Sequence, residues 1–318
     1  MVTPQKSDEP KRLNLTTVSW GDLTWDDIVQ PGDEAKKYLA EHYHFHPMDI
    51  EDCFSRQQLS KVDVYGDYLF VVFHIPVYDK EKRVATINQW SAFVGEKYLV
   101  TIRPGVLSAV DELRRECEYD EEVRQEYFSK GSGYLLYEIL DRAVDSYFIV
   151  LDKILSLMDD IEDNVFNTEI VAAKEISILR RDIVTQRRVM FPTRALLAEL
   201  ENKLRRFVNI DLSVYYGDLM DHINKICETL DECEEIIEVY EGADSVLSSY
   251  RANRVIRLLA IMFAVVAPFI VISDLYSMNV PLPGGIVKGS PVAFIVILVV
   301  SLAISGAILT FLRRRHLI

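Results

Sequence analysis

Positive charge is in short supply in this chain: 35 Lys and Arg stand against 49 Asp and Glu over 318 residues, a formal net charge of −14. A protein that holds nucleic acid needs a surplus of basic groups to displace counterions, so no nucleic-acid partner is expected and a cationic one fits better. Cysteine is scarce too. Cys53, Cys117, Cys227 and Cys233 form no CxxC pair and no regular spacing, which argues against a zinc knuckle or a disulfide framework and leaves four reduced packing residues. Met1 to Arg12 is polar and lacks the apolar stretch of about 7 to 15 residues that a secretory signal requires, so the N-terminal body is expected in the cytoplasm. Gly284 to Ser290 lacks the GxxxxGK[ST] spacing of a phosphate loop. No nucleophile, base and orienting group occur in a recognisable order, so neither catalysis nor ATP-driven transport is expected.

What is present divides the chain. From Leu13 to Ile102, short β-branched and aromatic runs (Tyr68 to Ile75, Ala85 to Phe93, Tyr98 to Ile102) mix with helical pieces, such as the one that Pro31, Gly32, Asp33 and Glu34 open. Residues 1–130 are therefore expected to form an α/β domain, with a solvated acidic helix over Asp111 to Glu126. After Gly131, apolar residues from Leu136 to Val165 recur every three or four positions, and a second periodic segment runs from Ile170 to Phe207 with Arg180, Arg181, Arg187 and Arg188. These two predict an antiparallel helical hairpin over 131–210. No proline interrupts Asp211 to Ala267, so a stalk helix over 211–257 is expected to run on to Leu275; its roughly 65 residues would reach about 100 Å.

Leu258 to Ser273 and Gly289 to Leu312 contain no charged residue. With about 20 residues needed per crossing, both read as membrane spans, over 258–275 and 291–312. Arg251, Arg254 and Arg257 precede the first; Arg313, Arg314 and Arg315 open a basic tail over 313–318. Positive flanks stay on the cytoplasmic side, so both termini are expected inside and 276–290 outside. A plain membrane anchor would explain the hydrophobicity but not a long helix feeding the first span.

Copies of that helix around a channel would line it with residues seven apart, because seven steps of 100° return near the starting face. One such series is Asn253, Ala260, Ala267 and Asp274; another is Ile256, Phe263, Ile270 and Ser277. The stripe is polar at both ends and apolar between, which suits a hydrophobic gate with polar mouths. Asp274 fits a pore-facing ring, where carboxylates about 7 Å apart would repel by roughly 2 kcal/mol per pair and so attract a cation; the plainer alternative is a residue marking the end of the span. His42, His44 and His46 would place three imidazoles on one face of a strand, a possible Zn²⁺ or Co²⁺ site.

Tyr276, Ser277, Met278 and Asn279, set between the two spans, resemble the Tyr-Gly-Met-Asn signature of the CorA magnesium channels. His46 to Asp52 (HPMDIED) is similar to the family's His-Pro-Leu-x-x-Glu-Asp element, and Lys61 to Val72 to the strand after it. The likeness continues through Leu135 to Phe166, Leu179 to Leu197, Tyr216 to His222 and the basic tail, covering nearly the whole chain in order. The resemblance implies an α+β membrane protein, a homopentameric funnel with an N-terminal α/β/α domain, a stalk helix that becomes the pore-lining first span, and an outer second span in the plasma membrane. It implies a filter of Tyr276, Ser277, Met278 and Asn279, with Asn279 the main contact to a largely hydrated ion. It also implies Mg²⁺ as both cargo and regulator, with Co²⁺, Ni²⁺ or Zn²⁺ as alternatives, and regulatory carboxylates paired across subunits: Asp52 with Asp218, and Glu51 with Asp141.

Three departures stand out. Ser277 replaces the family glycine, which bears on ion preference. The external segment carries Lys288 and no acid. Ala267 is small for a gate position, which moves the constriction toward Ile256, Leu259 and Phe263. The readings to separate are a Mg²⁺ channel driven by membrane potential, a relative moving Zn²⁺, Co²⁺ or Ni²⁺, and a non-conducting cation sensor or membrane scaffold.

Overall fold

A computed structural model describes residues 13–55, 58–79, 84–105, 107–166, 173–278 and 291–314. The chain divides into two compact units, Met1–Glu241 and Gly242–Ile318.

The first unit is built on a six-stranded sheet. In chain order its elements are β1 (Leu15–Trp20), β2 (Leu23–Val29), α1 (Asp33–His42), α2 (Pro47–Phe54), β3 (Lys61–Val64), β4 (Tyr68–Asp79), β5 (Val84–Gly95), β6 (Tyr98–Arg103), α3 (Ser108–Tyr119), α4 (Glu121–Phe128), α5 (Ser132–Phe166), α6 (Ala173–Leu204) and the start of α7 (Ser213–Ser277). The strands lie in the order β1-β2-β6-β5-β4-β3; among the described residues only β2 and β6 pair in parallel, with Trp25 opposite Leu99. In β4, Leu69, Phe70, Val71, Val72 and Phe73 are all fully buried. An unbroken apolar run rather than an alternating one is what a strand covered on both faces requires.

One face carries α1 and α2. Phe45, Phe70, Phe93, Val100 and Ile102 form its core, and the Phe45 and Phe93 rings stack at 3.8 Å. Pro47 suits the first turn of α2 because its missing N–H would have had no helical partner, and the His46 ring caps that turn by accepting from the Met48 amide at 3.3 Å. The other face is covered by α5 and α6, which both pack on β4.

Two helices, not one, occupy the acidic stretch after β6. Asp120 interrupts it by accepting from the amides of Glu122 and Val123 as the cap of α4. Nor is α3 simply solvated: Val110, Leu113 and Cys117 are buried, and Asp111 shares the buried Arg103 guanidinium with Asp27, at 2.5 and 2.7 Å. Gly131 starts α5 at φ +101°, and a Cβ there would lie 2.7 Å from the Phe207 carbonyl oxygen, so the position requires glycine.

In the first unit α7 buries Tyr216, Leu219, Ile223, Ile226, Leu230, Cys233, Ile237 and Tyr240. Their alternating spacing of three and four is a heptad seam. Beside it, two of the basic residues of α6 meet acids of α7: Arg187 pairs with Asp231 and Glu234, and Arg180 with Glu241 at 2.6 Å.

The second unit holds the rest of α7 and α8 (Pro291–Arg314). Both helices are long and apolar enough to cross a membrane. Ser305 of α8 donates its hydroxyl to the Val265 carbonyl of α7 at 2.9 Å, and Ser301, one turn away, is fully buried.

Candidate divalent-cation sites

Two acids that sequence spacing could not bring together meet in the first unit. Asp141 of α5, Asp218 of α7 and His222 of α7 each present a ligand atom, and these atoms all lie within 4.8 Å of one another. Position sets the chemistry. Tyr137 and Asp141 lie one turn apart on α5, as do Asp218 and His222 on α7, and helical neighbours at i and i+4 share a face. The Tyr137 and Tyr216 rings, 5.8 Å apart, and the edge-on contact of Phe148 with His222 hold the two faces against each other on either side of the cluster.

The electrostatics of the cluster are set by burial and by neighbouring carboxylates. Burial, then the neighbouring Asp145 and Glu138 carboxylates, push the Asp141 carboxyl up to about 6, a rise that His222 opposes and Asp218 adds to. Asp141 Oδ1 is buried without a hydrogen-bond partner. A buried acceptor left unpaired costs free energy that a divalent ion would recover. Two carboxylates and an imidazole therefore fit a divalent ion; the oxygens suit Mg²⁺, while the nitrogen adds affinity for Co²⁺, Ni²⁺ or Zn²⁺. Sequence reading had singled out Asp141 and Asp218 but had missed His222 and Asp145. The i, i+4 spacing of 218 and 222 was the available signal; Asp145 meets the His222 ring at Nδ1, at 3.1 Å.

Glu51 and Asp52 lie elsewhere in the chain, on α2. Glu51 is exposed. The Asp52 carboxylate is engaged at both oxygens, with Lys61 Nζ at 2.7 Å and the Gln58 amide at 2.7 Å. The histidines expected on one strand face are not gathered, because α1 ends at His42 and α2 begins at Pro47. His42 stacks on Tyr38, His46 caps α2 and His44 is exposed, so no imidazole cluster forms.

Within 258–275 of α7 the half-covered residues are Ile261, Ala264, Val265, Ala267, Pro268, Phe269 and Ile272. Val265, which accepts the Ser305 hydroxyl, marks the side turned to α8. Asn253, Ile256, Leu259, Ala260, Phe263, Ile270 and Asp274 are exposed, Phe263 at 75%. At 100° per residue these exposed positions centre about 150° around the helix from the Ile261, Val265, Pro268 and Ile272 side, so they face away from α8. Ala267 alone of the expected stripe is half-covered. Ser277 and Met278 are exposed, and Asn279 lies outside the described residues.

Comparison with known proteins agrees with this architecture. The family model described as "CorA-like Mg2+ transporter protein" matches residues 20–314. The chain is 26% identical to the cobalt/magnesium transport protein CorA of Thermotoga maritima over 270-odd aligned positions, covering 86% of this chain and 74% of that one. It is 19% identical to the zinc transport protein ZntB of an Enterobacter species, covering 80% and 76%. Among solved structures, the complete CorA magnesium transporter from Methanocaldococcus jannaschii superposes with a TM-score of 0.75 at 19% identity, over 93% of this chain and 92% of that one. With an α/β domain, a long helix, two candidate C-terminal spans and a family match over most of its length, the chain belongs to the CorA family of divalent-cation transporters, which are not enzymes.

Proposed function

We propose that the chain forms a homopentameric, passive channel for Mg²⁺ in the plasma membrane, with both termini cytoplasmic. The observation that supports this most is the exposed row of α7, from Asn253 through Asp274, on the side away from α8. In a ring of five, that row meets its own copies around an axis and encloses water, while α8 lies outside against lipid. Ile256, Leu259 and Phe263 then form the dry constriction that opens by wetting. Tyr276, Ser277, Met278 and Asn279 make the outer filter, where oxygen acceptors read an ion that keeps its water. A membrane potential drives entry with about 2.3 kcal/mol per charge per 100 mV, and twice that for a dication.

Cytosolic Mg²⁺ closes the channel through the Asp141 and Asp218 cluster, which Glu51 and Asp52 of an adjacent copy complete. Empty carboxylates repel and loosen the ring; a bound ion bridges them. Such a ligand shifts the gate only through its different affinity for the closed and open arrangements. A second reading, in which Co²⁺, Ni²⁺ or Zn²⁺ is the cargo or regulator, is favoured by the His222 imidazole in the cluster. Influx of Mg²⁺, Co²⁺, Ni²⁺ and Zn²⁺ into liposomes bearing the full chain, measured in parallel, tests both. Mg²⁺ flux that falls as internal Mg²⁺ rises is expected. Preferential flux of the other three supports the second reading, and no flux of any ion at any voltage leaves a non-conducting sensor.

A further inference from the structure

The parallel strands β2 and β6 end level, Val29 opposite Arg103, and just past that end the Gln30 amide donates to the Arg103 carbonyl at 2.9 Å. Beyond the two carboxyl ends lies a cavity of about 660 Å³, walled by Gln30 and Pro31, by Phe54 of α2, and by Ile87, Asn88 and Gln89 of β5. The volume is that of a small-molecule site, and the crevice outside the carboxyl ends of parallel strands is where α/β sheets hold ligands.

The wall itself is built for a polar, uncharged guest. Gln89 donates from Nε2 to the Asp52 carbonyl at 2.9 Å, which fixes its carboxamide, and its Oε1 is buried with no hydrogen-bond partner. An acceptor in that state costs free energy until a donor reaches it. The β5–β6 register runs only from Ser91 to Val94, so among the described residues Ile87, Asn88 and Gln89 pair with β4 alone and have no strand along their other main-chain edge. Gln30 holds φ +52°, a conformation that costs a non-glycine residue energy and that gathers at binding sites. The Arg103 guanidinium is taken up by Asp27, Asp111 and the Gly105 carbonyl, and burial holds the Cys53 thiol protonated. Among the described residues no other ionisable side chain lines the cavity.

We propose that this cavity binds a neutral, planar heterocycle of the nucleobase class, with Gln89 Oε1 accepting from one of its N–H groups and the open edge of β5 pairing beside it. Carboxamides read the donor and acceptor edge of a base, as Asn and Gln do with adenine, and the apolar surfaces of Pro31, Phe54 and Ile87 suit its faces. A phosphate finds no uncommitted cation here, so the ligand is a base or nucleoside rather than a nucleotide held by its phosphates. The site lies within the first unit and does not depend on which ion the chain carries.

Titration calorimetry of the full-length protein in detergent with adenosine, guanosine, cytidine and uridine tests this, for wild type, Gln89→Leu and Gln30→Gly. Leucine fills the space of Gln89 without its acceptor. Glycine removes a side chain from the wall and relieves the positive φ, so Gln30→Gly should unfold at no lower denaturant concentration than the wild type. Saturable binding of at least one nucleoside is expected, at about 1 mM or tighter, with a dissociation constant raised about fivefold in Gln89→Leu, the equivalent of one net hydrogen bond, and raised at undiminished stability in Gln30→Gly. No saturable binding of any of the four overturns the proposal and leaves a water-filled cavity. A dissociation constant unchanged in either variant places the nucleoside elsewhere and overturns it as well.

Discussion

Asp141 on α5 and Asp218 on α7, 77 positions apart in the chain, hold carboxylate oxygens within 4.8 Å of each other, with the His222 imidazole in the same group. Burial first, then the Asp145 and Glu138 carboxylates, raise the Asp141 carboxyl to about 6, and Asp218 adds to that rise.

Neutralising that acid has opposite effects with and without metal. Asp141→Asn is expected to raise the melting temperature of the metal-free protein, because it removes a buried charge beside Asp145 and Asp218, and to abolish most of the further rise that millimolar Mg²⁺ gives the wild type. Thermal unfolding with EDTA and with Mg²⁺ checks both halves. In flux assays the same variant should retain permeation but lose inhibition by internal Mg²⁺, and so should Asp218→Ala.

The exposed row of α7 can be tested by access from water. Cysteines placed singly at Ala260 and Phe263 should react with a charged, water-soluble thiol reagent in the reconstituted protein and block flux. A cysteine at Ile261, on the α8 side, should stay unreacted. Three of the native thiols, Cys117, Cys227 and Cys233, are buried and give a low background.

Arg103 holds two buried carboxylates at once. Arg103→Met removes the guanidinium that Asp27 and Asp111 share, leaving Asp27 only Arg114 Nε at 3.9 Å, and breaking a buried pair in this way costs about 3–5 kcal/mol. Denaturant unfolding of the variant should show that loss. Replacing all three, Arg103→Met with Asp27→Leu and Asp111→Leu, should recover much of it.

Gly131 is the backbone counterpart. Gly131→Ala forces a side chain into positive φ and against the Phe207 carbonyl, and a destabilisation of about 2 kcal/mol or more is expected. Gly21 also has positive φ but open space around it, so Gly21→Ala should cost less in the same unfolding assay.

Burial lowers the His74 pKa below its ordinary 6.5. The unfolded chain therefore takes up this proton at a higher pH than the folded one. Stability from His74 is fully present above about 6.5 and is lost as pH falls toward the lowered folded value. Between pH 8 and pH 5 the wild type should lose more stability than His74→Gln, as read from paired denaturant titrations.

Much of this architecture was legible because it is periodic or compositional. The uncharged runs from Leu258 and from Gly289 announce two spans by length alone, and the apolar repeats from Leu136 and the lack of proline after Asp211 announce long helices. Where chemistry depended on a single local conformation, pattern misled. His42, His44 and His46 alternate as a strand would, but a helix end, an extended connection and a helix cap separate them. Asp111 reads as a surface acid because its partner, Arg103, belongs to a different element.

The order of residues by itself determined that long helices follow Gly131 and Asp211 and which segments are apolar enough to cross a membrane. Those properties depend on neighbours a few positions apart, through hydrogen bonding along one helix and transfer of one segment from water. The folded chain alone decided that Asp141, Asp218 and His222 share a site and that α8 covers the Val265 side of α7. Both result from the rotation of one helix about its axis relative to another, which is set by the packing of side chains distant in sequence and is written in no local pattern.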